Sequence, residues 1–254
     1  MATRRIVLSA IIYCLSLSAV HAQSHWQLGV DVTNILDTYL SQEKFHGMGF
    51  SLLTTSERRR DSALWSPAWQ HQVHISTAKD RADNASMMEA MYKFYYGRYR
   101  RFNIAPRIEL QAGALATMGL GFIYNTRNGN NPVQARLGLH IMPSAKAVYH
   151  FKLFQHESRL RYQIDLPLLG VVFSPNYGQS YYELFSLGNY DHNIVPVTFV
   201  SAPNFRQQLA LLFNVGQRFA ISLGYLGDYQ QQQVNNLKQH VYNHALMVGI
   251  AKGL

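Results

Sequence analysis

His156, Glu157 and Ser158 come closer than any other stretch of the chain to a hydrolytic set. Acyl transfer needs a hydroxyl nucleophile, an imidazole to take its proton and a third polar group to orient that imidazole. Here the three side chains follow one another in "FQHES", a short polar segment that reads as a turn, so a turn is the expectation and no catalytic residue is assigned. Metal chemistry is no better served. His140 and His150 fall on one phase of a long alternating run, and ten extended residues hold them roughly 33 Å apart, too far to share an ion. His46, His71, His74 and His244 are scattered. No glycine-rich phosphate cradle and no paired carboxylate motif is present. The sequence therefore implies no metal and no cofactor.

The segments that would position such residues alternate with a period of two, which means extended strands with two unlike faces. In "WQLGVDV", Trp26, Leu28, Val30 and Val32 oppose Gln27, Gly29 and Asp31. In "WQHQVHIS", Trp69, His71, Val73 and Ile75 oppose Gln70, Gln72, His74 and Ser76; in "MMEAMYKFYYG", Met88, Ala90, Tyr92 and Phe94 oppose Glu89, Met91, Lys93 and Tyr95. The even positions from Ile108 to Tyr124 are apolar, with Arg107, Glu109, Gln111 and Thr117 on the odd phase. Between Ala135 and Leu153 the odd positions are apolar, and the even ones include Arg136, His140, Lys146, His150 and Lys152. "RLRYQIDL" and "RFAISLGYLGDY" repeat the pattern. About ten strands result. Some keep phase far longer than the roughly six residues usual in soluble domains, as membrane strands do.

The start of the chain reads as an export signal. Arg4 and Arg5 precede the apolar run "IVLSAIIYCLSLSAV", and "AVHA" places small residues where a signal peptidase cuts, near Ala22. Residues 1–22 are expected to be removed and 23–254 to form a single barrel domain. Cys14, the only cysteine, lies in the signal, so the mature chain would rely on ladder closure rather than disulfides. The formal charge of +9 becomes +7 once the two signal arginines are gone (9 − 2), which suits anionic lipid better than nucleic acid, a partner an exported chain rarely meets.

The identity of the two faces decides the class. The non-apolar face is rich in Gly, Ala, Ser, Gln and Asn and sparse in charge, unlike the Lys/Glu surface of a soluble sandwich. It suits a narrow lumen, with the Leu-, Ile- and Phe-rich face turned to lipid. The expectation is an all-β, antiparallel transmembrane barrel of about ten strands (ten to twelve) with a polar lumen and long extracellular loops; a soluble all-β protein is the alternative. With the N-terminus in the periplasm, the connections around Tyr39, Lys79–Ser86, Asn125–Pro132, Phe173–Asn204 and Gln230–Lys238 fall outside, and those near Arg58, Arg107, Phe154 and Gly216 fall inside.

"LDTYLSQEKFHG", "GFIYNTRNGNNP" and "FSPNYGQSYYELFSLGN" resemble a family of Bacteroidota outer-membrane barrels known only as domain of unknown function 3316. The resemblance implies a location in the cell outer membrane and the barrel fold, and it brings no activity or catalytic residue with it. Asp61–Ala63 resembles the O-glycosylation acceptor of that phylum, at Ser62. "HES" resembles the His-x-Ser pair of lipid A deacylases but falls at the periplasmic end, away from the outer leaflet where those enzymes work.

Two sets of residues are singled out. Asp31, Glu89, Lys93, Arg107, Glu109, Arg136, Lys146, Arg161 and Asp165 should form a lumen charge network with both signs available for pairing. Tyr177, Gln179, Tyr181, Tyr182 and Glu183, joined by Asn128, should form an ordered extracellular cap that carries any binding. The expected role is non-enzymatic: structural, channel-like, or binding through the outer loops. A lipid-modifying hydrolase of the lipid A deacylase or phospholipase type is the alternative. Expected partners are outer-membrane lipid and lipopolysaccharide, the barrel-assembly machinery during biogenesis, and a protein or glycan at the outer loops.

Overall fold

The computed structural model describes residues 22–58, 64–215 and 219–252. The export segment and the Ser62 motif lie outside them. The described chain forms twelve strands and one short helix: β1 (Ala22–Asp37), β2 (Ser41–Arg58), β3 (Trp65–Lys79), β4 (Ser86–Ala105), β5 (Ile108–Asn125), β6 (Val133–Leu153), β7 (His156–Asp165), β8 (Leu169–Phe173), α1 (Tyr181–Phe185), β9 (Ile194–Thr198), β10 (Phe205–Asn214), β11 (Phe219–Val234) and β12 (Leu237–Lys252).

Ten of these strands make a closed antiparallel wall. Each pairs with its chain neighbour, β1 closes against β12, and β7 pairs with β10. Closure satisfies the backbone without a free edge, which is the condition for strands to cross a bilayer. β8 and β9 extend the wall. Leu166 and Leu168 donate from their amides to the carbonyls of Pro143 and Ile141 at 3.1 Å each, so the chain stays beside β6 from β7 into β8. β9 pairs with β8, and residues 200–204 then bulge out before β10 begins.

The alternation seen in the sequence sorts the side chains to the two faces. Leu28 is 57 % exposed on the outside, while Gln27 is 4 % exposed within. An apolar belt runs around the exterior through Phe50, Ile75, Leu120, Leu139, Leu223 and Val248, all exposed. This is the lipid-facing surface of a transmembrane barrel.

Several outer connections are shorter than the sequence suggests. "QQQQVNNLK" is mostly strand: β11 and β12 pair up to Val234–Leu237, and Asn235 and Asn236, both at positive φ, make the two-residue turn. A ladder continues above a membrane without apolar side chains, and Asn accepts the left-handed conformation that this tight turn needs. Phe173–Asn204 is likewise not one loop, because β9 returns to the wall and leaves 174–193 as the connection. Arg107 belongs to the exposed β4–β5 turn and not to the lumen. The alternation was extended one residue too far there, past the point where the chain reverses.

Folded in detergent, residues 23–254 should migrate faster unboiled than boiled on a denaturing gel, as closed barrels do. A chain that stays soluble and monomeric without detergent would contradict this architecture.

Candidate functional site

Arg206, on β10, is the hub of the lumen. Its Nη1 donates to Asp165 Oδ2 at 2.7 Å, its Nε to Gln72 Oε1 at 3.0 Å and its Nη2 to Gln70 Oε1 at 2.9 Å. Its guanidinium lies 4.4 Å from the Tyr95 ring centroid. Asp165 also accepts from Gln163 Nε2 at 2.9 Å and from Ser144 Oγ. Gln72 relays the network across the lumen, with Nε2 donating to Asp228 Oδ2 at 2.8 Å. Asp228 in turn accepts from Lys93 Nζ on both carboxylate oxygens, at 2.7 and 3.0 Å. Strands β3 and β4 are thereby tied across the lumen to β6, β7, β10 and β11 through buried charge.

A second cluster lies nearer the end that carries the long loop. Arg136 pairs with Glu89, and its other guanidinium nitrogen donates to Gln230 at 2.6 Å. His74 sits between two carboxylates, 3.1 Å from Asp31 and 3.3 Å from Glu89. Ser51 donates to Asp31 at 2.8 Å. Gly49 makes the room, since a Cβ there would lie 2.6 Å from Asp31 Oδ1. Toward the chain termini, Lys146 reaches across to Glu57 at 2.9 Å, and Arg161 meets His25 at 2.8 Å. Gln111 donates to Glu109 at 2.6 Å.

The structure thus places eight of the nine expected lumen charges inside, and Arg107 outside. Sequence reasoning missed Arg206, Asp228, Glu57 and the bridging role of His74. Two of these were readable. Asp228 continues the phase of Ser222 and Gly224, and Arg206 continues that of Gln208 and Ala210.

An apolar stopper lies above the charges. Ile35, Leu40, Phe45, Met87, Ile123 and Val241 form one buried cluster, with Tyr39 packed against it. Over it lies the 174–193 connection. Ser180 and Glu183 form a capping box that starts α1: Ser180 N–H and Oγ both donate to Glu183 Oε2, at 2.7 and 2.9 Å, and Glu183 N–H donates to Ser180 Oγ at 3.2 Å. Leu184 is fully buried beneath. Tyr39 donates to the Gln179 carbonyl at 2.9 Å and meets the Tyr181 ring edge-on. Tyr181 donates to Gln134 Oε1 at 3.0 Å and accepts from Ala135 N–H at 2.7 Å. Burial pushes the Tyr39 hydroxyl up to about 12 and the Tyr181 hydroxyl up as well, so both remain donors. Asn235 fastens the far side, donating to the carbonyls of Ser174 and His192.

These contacts divide the six residues singled out in the cap. Gln179, Tyr181, Glu183 and Asn128 spend their polar groups holding loops together; Asn128 donates to the Leu40 carbonyl. Tyr177 and Tyr182 project outward, 69 % and 66 % exposed, and Phe185 and Tyr190 are similarly exposed beside them.

Two Ser–His contacts occur in the lumen, His25 with Ser222 at 2.7 Å and Ser51 with His74 at 3.1 Å. All four residues are buried. In the second, serine and Asp31 both address Nδ1, which is not the relay a nucleophile needs. His156 is exposed, and the Ser158 hydroxyl is turned to the His156 carbonyl. No group of three potential metal ligands exists among the described residues.

Breaking the hub leaves Asp165 buried without its cation. Arg206→Met should destabilise the barrel by about 3–5 kcal/mol, and adding Asp165→Asn should recover part of that loss. Urea unfolding in phospholipid vesicles measures both. The hydrogen bonds from the Ser180 amide and hydroxyl hold the Glu183 carboxyl below its ordinary value. This support is complete above the ordinary carboxylate range and lost as pH falls through the depressed value. Amide resonances of residues 180–184 should therefore shift on acidification in the wild type and not in Glu183→Ala.

The outer membrane protease OmpT from Escherichia coli matches with a TM-score of 0.50 at 7 % identity, covering 91 % of this chain and 96 % of that one. The translocator domain of the autotransporter NalP from Neisseria meningitidis matches at 0.46 and 10 % identity, covering 99 % and 95 %. The attachment invasion locus protein Ail of Yersinia pestis matches at 0.32 and 12 % identity, covering 92 % and 99 %. The first of these likenesses supports the barrel fold and nothing finer. No curated protein matches the sequence. The family model described as "Protein of unknown function (DUF3316)" matches residues 17–254, and the chain belongs to that family.

Proposed function

We propose that the protein is an integral outer-membrane barrel, exported and trimmed near Ala22, that binds a partner through its extracellular cap and catalyses no reaction. One observation carries this reading: the cap is built as a platform whose polar groups are consumed internally, while Tyr177, Tyr182 and Tyr190 stand exposed on its outer side and Phe185, stacked on Tyr181 and Phe173, presents its other face. Exposed aromatic side chains on an ordered backbone, with few rotatable bonds to immobilise, are economical anchors for a protein or a glycan.

The lumen supports the same reading. Cross-barrel ion pairs and the apolar stopper occupy the space a conducting pore would need. The hydrolase alternative requires a Ser–His pair presented at the outer rim; the two pairs described here are enclosed. The apolar belt, the barrel fold and the placement of the long connection opposite the chain termini support an outer-membrane location with that connection outside.

Replacing Gly178–Asn193 with a short Gly/Ser linker should leave the barrel heat-modifiable, because no wall pairing is touched. It should abolish binding of any surface partner identified by crosslinking on intact cells. A Tyr177→Ala/Tyr182→Ala variant should weaken the same binding with the cap intact. Wild-type affinity in both would refute the cap as the binding element.

A further inference from the structure

Arg98 and Arg100 place charge on a face of the wall that is otherwise mostly apolar. Both lie on the outward phase of β4, between Tyr96 and Phe102, and both are exposed. Phe102 and Ile104, farther toward the end that carries the termini, are again exposed and apolar. The two arginines are therefore set into the apolar exterior, with apolar residues on both sides. The lumen cations Lys93, Arg136, Lys146 and Arg206 each face a carboxylate. Arg98 and Arg100 have no ion pair among the described residues, and the Arg100 guanidinium lies only against the Phe102 ring, 5.4 Å from its centroid.

Their surroundings supply what an acyl chain needs. Arg98 stands in register with Ala114 and Arg100 with Ala112 on β5. Those alanines pair in turn with Pro143 and Ala145 on β6. These four small exposed residues, continued by Ala116 and Ala147, form a shallow hollow on the outer wall, bordered below by Leu110 and Tyr149 and above by Met118 and Ile141. Across β3, Trp65 pairs with Arg100, an indole at the level where such side chains meet head groups.

From this juxtaposition we infer a binding site for one anionic glycerophospholipid, its phosphate held by Arg98 and Arg100 and an acyl chain lying in the alanine hollow. Two guanidiniums about 7 Å apart along a strand can both address one phosphodiester, with the forked geometry that lysine lacks. A lipid whose own amine neutralises its phosphate offers less to two unpaired cations than one with a net negative head group. The inference rests on the proposed membrane orientation, which puts this end of β4 in the inner leaflet.

The test uses the folded chain in a non-ionic detergent, titrated with phosphatidylglycerol or with phosphatidylcholine and read by native mass spectrometry. The wild type should retain one phosphatidylglycerol with a preference of about tenfold or more, in line with two cations near a lipid surface. Arg98→Gln/Arg100→Gln should lose the preference, and Ala114→Phe should weaken retention with both arginines present. Should the double variant fold poorly, Arg100→Lys keeps the charge and should still reduce retention. Equal retention of the two lipids by the wild type overturns the site. So does unchanged retention in the variants, or displacement of the lipid by equimolar inorganic phosphate. A chain that never binds detergent refutes the membrane reading instead, and so separates the two failures.

Discussion

Every ionised side chain turned into a ten-stranded barrel must find its counter-charge inside, because no bulk water is there to solvate it. That requirement organises this molecule. Arg206 answers Asp165, Lys93 answers Asp228, Arg136 answers Glu89 and Lys146 answers Glu57. Three of these four pairs join strands that are not neighbours. The wall could form with the partners elsewhere, but the lumen would then hold uncompensated charge. The pairs therefore fix which side chains meet across the barrel, and glutamines 70, 72 and 163 fill the remaining donor and acceptor positions.

Apolar groups pack beside this layer and close one end of the lumen. Tyr95, Tyr99, Leu115 and Met142 pack at its middle, and the Ile35–Phe45–Val241 cluster closes the loop end. Burial from bulk water strengthens the ion pairs and raises the cost of losing one partner. The stopper has a second role: it is the floor on which the cap rests, through Tyr39 and Leu40. The lumen and the cap are thus joined by one short turn at residues 38–40.

The alternation made the wall legible, since period two names the strands and their faces without any contact being known. The same rule located eight lumen charges. It failed where its premise fails. At Arg107 the chain reverses and phase has no meaning. In Gln230–Gln233 both phases are polar, so a projecting ladder looks like a loop. Ile35, Phe45 and Met87 are apolar yet face inward, because a lumen that needs a stopper reverses the usual code. The division of the cap residues was not legible either: Tyr181 and Tyr182 are the same residue type side by side, and only the positions of Tyr39 and Gln134 decide which one is structural.

The bulge at residues 200–204 has a mechanical meaning. Along β11 the β12 side is fastened by continuous register up to Val234. On the other side the ladder with β10 stops at Phe205–Tyr229, and above it the described backbone bonds are Gln231 N–H to the Asn204 side chain at 2.7 Å and Gln233 N–H to the Ser201 carbonyl at 2.9 Å. A pull on the cap travels down β8 and β9, which are anchored to β6, and reaches the top of β11 through these two links, through Asn235 and through the packing of Val234 on Val172, Val197 and Ala202. At this rim, above the charged hub, side-chain contacts carry the load that a backbone ladder carries everywhere else around the wall.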